Sequence, residues 1–208
     1  MGAVVENVND VAAAIIDELG EVDAMALEKL LYYAQSWNLA ISNAPLFNDE
    51  IRAWRNGPVV PSIYAQHKQQ QTVCEWRSGS SESIAPKTAN LIRLIGAQYG
   101  HLNGYQLSQL THKEGPWKEV RGDLPENASS NRLIPQIAMA DFYRKNSKLV
   151  GWNALEIALA GVLDSDAEGE EAFRETPADT PVYGSGQTVL SPDQIQDVRS
   201  RRRSRTSV

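Results

Sequence analysis

The chain runs to 208 residues with a formal net charge of −6, one cysteine and three histidines. A single cysteine excludes an intrachain disulfide and a thiolate metal cage, and His67, His101 and His112 lack the i,i+4 spacing of a helical metal pair. No apolar run reaches the roughly 18 residues of a membrane span, and Glu6 and Asp10 stand where a secretory leader carries basic residues. The expectation is a cytoplasmic protein with no membrane partner.

In chain order, Val8, Val11, Ala12, Ile15, Ile16 and Leu19 mark one face of a helix, capped by Asn7 and closed by Gly20. Asp23 caps the next helix, where Leu27, Leu30, Leu31, Ala34 and Ile41 form one stripe and Tyr33, Trp37 and Ala40 another. A helix apolar over more than half its circumference belongs at the centre of a fold. Pro45 breaks the pattern. Phe47 to Trp54 alternates as a short strand does, and Asn56-Gly57-Pro58 signals a turn. Pro61 opens a helix running to about Gln70, and Thr72 to Arg77 reads as a second strand pairing with the first. Ser78 to Ser83 is a loop.

Pro86 starts a helix with Leu91, Ile92, Ile95 and Tyr99 inward, ending at Gly100. Another spans Gly104 to His112, with Leu107 and Leu110 buried and Gly115-Pro116 as its stop. After a polar loop from Asp123 to Asn131, the residues Ile134, Ile137, Ala138, Phe142 and Leu149 outline a helix face, and Trp152 to Leu163 reads as a last helix. The fold class expected is mainly α: a compact multi-helix domain over 1–163 with a short two-stranded β-hairpin, followed by a disordered C-terminal tail over 164–208.

The tail holds one Phe, one Tyr and no Trp, too little apolar surface to offset about 1–2 kcal/mol of ordering per residue. Charge is segregated along the chain. Residues 1–163 carry 17 acids and 14 bases, and 164–179 carries seven acids and only Arg174. Arg199 to Arg205 then supplies five arginines without an acid. This run, with Arg201, Arg202 and Arg203 at its centre, attracts phosphates or acidic protein surfaces. No aromatic interleaves it for base stacking, so nucleic acid is a partner only through these arginines.

Catalytic constellations are wanting. Cys74 between Val73 and Glu75 has no helix N-terminus to activate it and reads as a small packed hydrophobe. Asp49 and Glu50 are adjacent, so on a strand they point to opposite faces and cannot flank one substrate. Neither a nucleophile elbow nor a phosphate-binding glycine loop occurs. The expectation is no enzyme, no cofactor and no metal.

Two stretches invite a binding role. In Glu50 to Pro61, Trp54 between Arg52 and Arg55 is either a stacking and cation–π platform or, on residue types the favoured reading, a corner with Trp54 in the core and the arginines paired to helix carboxylates. In Leu110 to Lys118, a cationic His112 suits a helix C-terminus and Trp117 packs back after Pro116.

The ordered set Leu27-Glu28-Lys29-Leu30-Leu31-Tyr32-Tyr33-Ala34-Gln35-Ser36-Trp37, Pro45-Leu46-Phe47, Glu50 to Tyr64 and Leu107 to Trp117 resembles the Panacea domain, also described as SocA-like or phage-associated GepA-like, over about Val8 to Lys145. The resemblance implies a largely helical antitoxin that neutralises a cognate toxin, often a translation-blocking enzyme, by direct protein–protein binding. One branch implies an adaptor delivering the toxin to a bacterial ATP-dependent protease. A third reading is a nucleic-acid-binding regulator using the arginine run. The candidate partner-binding residues are Arg52, Trp54, Arg55, Tyr64, His112 and Trp117, with Arg201, Arg202 and Arg203 in the tail.

Overall fold

The computed structural model describes residues 5–146. The helix expected after Gly151, Leu149, the tail and its arginine run lie outside them.

Helix α1 (Val8–Leu19) begins where Asn7 Oδ1 accepts the Asn9 amide at 2.9 Å. It ends at Gly20, whose amide still donates to the Ile16 carbonyl at 2.7 Å while its φ of 77° turns the chain out of the helix. Strand β1 (Val22–Asp23) leads directly into α2 (Ala24–Ser42), capped by Asp23 through the amides of Met25 and Ala26. As its apolar circumference predicts, α2 is the hub. It packs against α1 and against α4 (Pro86–Tyr99), α5 (Gly104–Lys113) and α7 (Gln136–Asn146). Asn43 stops it in the left-handed conformation, at φ 55°, two residues before Pro45.

The β pairing differs from the sequence expectation. Strand β2 (Arg52–Trp54) pairs antiparallel with β3 (Gly57–Val59) across the two-residue turn Arg55-Asn56, with Trp54 opposite Gly57. The segment expected to pair with it contributes only β4 (Thr72–Val73), which pairs with β1 instead. Closing a two-residue turn costs less chain entropy than closing the longer loop to Thr72. The open edge of β2 is covered by later chain: Ala53 donates to the Arg132 carbonyl at 2.8 Å, and Ile134 donates to Ile51 at 2.8 Å.

Helix α3 (Pro61–His67) starts on its proline and stops three residues short of Gln70. A 3₁₀ turn (Ser81–Ser83) lies within the expected loop. Leu91, Ile92, Ile95 and Tyr99 of α4 are buried as expected, and Asn103 with Gln106 forms a reciprocal capping box on α5.

Three further readings are corrected. Gly115-Pro116 does not merely stop α5: it opens another helix, α6 (Gly115–Arg121), with Pro116 in its first turn, where a missing amide costs nothing. In α7 the buried residues are Met139, Ala140 and Tyr143, while Ile137 is 64% exposed. The misreading has a cause. Ile134 is buried, but by pairing with Ile51 ahead of the helix, so counting a helical period from it misplaces the face. Cys74, finally, is exposed and not packed.

Candidate partner-binding cleft

Glu28 and Lys29 are consecutive and almost fully buried, at 2% and 1% exposure, on the side of α2 facing the hairpin. Lys29 Nζ donates to the Pro58 carbonyl at 3.0 Å, and Glu28 Oε2 accepts the Val60 amide at 2.8 Å. The two side chains thus hold both ends of the β3–α3 junction against the hub helix. Glu28 Oε1 also lies 2.6 Å from Nε2 of His67, the last residue of α3. Burial lowers the Lys29 ammonium to about 8, partly opposed by the charges of Glu28 and Asp23. Gly57 makes this docking possible. It sits at φ +103°, and a Cβ there would lie 2.5 Å from Lys29 Cε and 2.9 Å from Thr111 Oγ1.

Around this junction opens a cleft of about 790 Å³. Its floor is the first turns of α2, including Met25, Glu28 and Lys29. Its walls are the hairpin residues Trp54, Arg55 and Asn56, the α3 residues Tyr64, His67 and Lys68, and the loop Ser129 to Asn131. A second cleft of about 460 Å³ adjoins it, lined by Tyr105, Ser108, Gln109 and His112 of α5 with Glu126 and Asn127. Met25, Arg55 and Asn56 line both, so the hairpin turn stands between the two depressions.

Trp54 is half-buried at the wall, not in the core. Its indole donates to Asn131 Oδ1 at 3.0 Å, and its ring meets Tyr64 edge to face at 4.8 Å. Arg55 is exposed and makes no ion pair among the described residues. Arg52 lies off the cleft lining, bonded to Glu50 and to the Asn131 carbonyl, so among the described residues neither arginine pairs with a helix carboxylate. Asp49 accepts from Ser62 Oγ at 2.6 Å, apart from Glu50. The core-corner reading of this stretch therefore gives way to an aromatic wall with a cationic rim.

His112 stacks on Trp117 with centroids 3.8 Å apart and planes 11° from parallel. Desolvation lowers the pKa of its imidazole, which works against a cationic helix cap. Glu126 Oε1 is 3.9 Å from its Nδ1, beyond hydrogen-bond reach. Trp117 itself is 5% exposed, and its indole donates to the Trp54 carbonyl at 2.9 Å. It is a buttress beneath the hairpin, not a surface anchor.

Sequence reasoning missed the residues that build this scaffold. Glu28-Lys29 left a signal, two consecutive charges inside an apolar helix. Arg121 left none. Its guanidinium lies 4.8 Å from the Trp117 ring centre and donates to the carbonyls of Pro125, Glu126 and Ala128, tying down the loop that closes the cleft. Glu114, at the start of α6, turns inward to accept from Tyr33 Oη at 3.1 Å and Tyr143 Oη at 2.6 Å. Burial raises its carboxyl to about 7, with the phenol hydrogen bonds opposing the rise.

No helix among the described residues is long and apolar enough to cross a membrane. No curated protein and no solved structure matches the chain. The family model described as "Antitoxin SocA-like, Panacea domain" does match, over residues 27–118, which hold Glu28, Lys29, Trp54, Arg55, Tyr64, His67, His112 and Trp117. The stretch sits inside the span of about Val8 to Lys145 over which the sequence resembles that family. Residues 27–118 therefore match the SocA-like Panacea antitoxin domain, the family that the sequence resembles.

Proposed function

We propose that this protein neutralises a cognate toxin by direct, non-catalytic contact, and that the face around the Arg55-Asn56 turn is where the toxin docks. The Panacea match carries the antitoxin role in general. The geometry of the turn supports its assignment to this face. Arg55 projects between two depressions with no ion partner among the described residues, with Trp54 and Tyr64 beside it and Tyr105, 66% exposed, across the second cleft. Aromatic residues and arginine are the types that anchor protein interfaces, and a stable contact needs about 1,600 Å² in total. The two clefts with their rims supply a centre for such a contact. The tail over 164–208 adds a second contact, its acids and arginines covering charged features of the same toxin.

Inducing the product of the adjoining reading frame in a bacterial host, with and without this chain, tests the role. Neutralisation predicts growth arrest relieved by co-expression and a complex that survives size-exclusion chromatography. Relief accompanied by loss of the toxin protein, dependent on an ATP-dependent protease, would assign adaptor delivery instead of occlusion. Absence of both relief and complex would remove the antitoxin role.

A further inference from the structure

The larger cleft is locally cationic on a chain whose net charge is −6. Its charged lining residues are Lys29, Arg55 and Lys68 against Glu28 alone. That one acid is fully engaged, since Oε1 meets His67 Nε2 and Oε2 accepts the Val60 amide. The cations are not. Lys29 uses one of its three donors, on the Pro58 carbonyl, and Arg55 makes no ion pair among the described residues. Lys68 is exposed at the mouth. His67 Nδ1 has no hydrogen-bond partner among the described residues, in a side chain only 3% exposed.

We propose that this cleft is an anion-recognition site that takes an acidic side chain of the toxin, held by Arg55 and Lys68 at the rim above Lys29. The inference rests on the toxin-binding role proposed above. Trp54 and Tyr64 wall the site, and excluding water from it strengthens each charge contact. A guanidinium fits a carboxylate and a phosphate equally well, so the backbone decides between them. Phosphate sites draw on free amides at a helix N-terminus. Here the α2 amides of Met25 and Ala26 are already capped by Asp23, and α3 opens on Pro61, which has no amide to give. What remains is side-chain donors, which suit a carboxylate carried in on a partner.

The test titrates hexaglutamate, hexalysine and inorganic phosphate separately into the isotope-labelled full chain, following the Trp54 indole and the Arg55 and Lys68 amides by NMR. It is repeated on the double variant Arg55→Glu, Lys68→Glu, with a thermal melt showing that the fold is kept. The expected result is saturable shifts with hexaglutamate alone, and affinity at least about tenfold lower in the variant, a loss of roughly 1.4 kcal/mol. No response to hexaglutamate, an unchanged affinity in the variant, or displacement of the peptide by millimolar phosphate would overturn the proposal. Toxin pull-down with the same variant separates the two readings. A full-strength complex with the variant sinks the anion site and leaves toxin binding standing, whereas no complex with the wild-type chain sinks toxin binding itself.

Discussion

Glu28 Oε1 lies 2.6 Å from His67 Nε2, with the two side chains 2% and 3% exposed, and this contact ties the hub helix to the end of the helix that follows the hairpin. The chain that follows the hairpin is therefore fixed from below, which supports the proposal that a partner docks on its two-residue turn.

Removing one member of a buried pair leaves the other uncompensated. Glu28→Ala should destabilise the fold by about 3–5 kcal/mol, because His67 and the Val60 amide both lose their acceptor. Urea unfolding followed by far-UV circular dichroism measures this. A loss below about 1 kcal/mol would mean that the pair does not hold the junction.

Gly57 should resist substitution. At φ +103°, with Lys29 Cε 2.5 Å from an added Cβ, Gly57→Ala is strained in backbone and packing alike. A destabilisation of about 2 kcal/mol or more is expected from calorimetric melting. At Gly20 the strain is in the backbone alone, since nothing lies within 4 Å of an added Cβ, so Gly20→Ala should cost less.

Glu114 sets a pH dependence. Its carboxyl is raised from 4.5 to about 7 in the folded state, so folding favours the protonated form. That contribution is fully present below pH 4.5 and is lost as pH rises through about 7, up to roughly 3 kcal/mol. Lys29 acts in a separate window. Its ammonium is lowered from 10.5 to about 8, so its unfavourable contribution is relieved only as pH rises from about 8 to 10.5. Stability of Glu114→Gln, measured by denaturant unfolding from pH 4.5 to 8, should lose the decline that the wild-type chain shows across that range. Parallel curves for the two proteins would contradict the assignment.

The two faces of α7 give a direct contrast. Ile137→Lys, on the exposed face, should change stability by less than about 0.5 kcal/mol, while Tyr143→Ala should cost about 3–5 kcal/mol. Thermal melts of the two variants check the phase of the helix. Equal losses would restore the face drawn from Ile134 and Ile137.

Much of the fold can be read from the chain because its signals are local. Asn7, Asp23 and Gly20 mark helix ends through their own backbone and side-chain hydrogen bonds, and the wide apolar surface of α2 announces its central position. What escapes is set by distant partners. Nothing near Thr72 says that it will pair with Asp23 and not with β2, and nothing near Ile134 says that Ile51 will take it before α7 begins. The cleft follows the same division. Trp54, Arg55, Tyr64 and His112 stand out by residue type and are brought together around one turn. Trp117 proves to be a buttress and Arg52 lies to one side, while Arg121 matters only because carbonyls of a later loop converge on it.

Binding of the full-length chain to its cognate toxin, quantified by isothermal titration calorimetry for the wild type and for Arg55→Ala combined with Tyr64→Ala, is the sharpest test. Docking on the hairpin face predicts a tight wild-type complex, weakened about a hundredfold in the double variant while its far-UV circular dichroism shows the fold kept. A double variant that binds as tightly as the wild type would place the toxin on another surface and contradict this account.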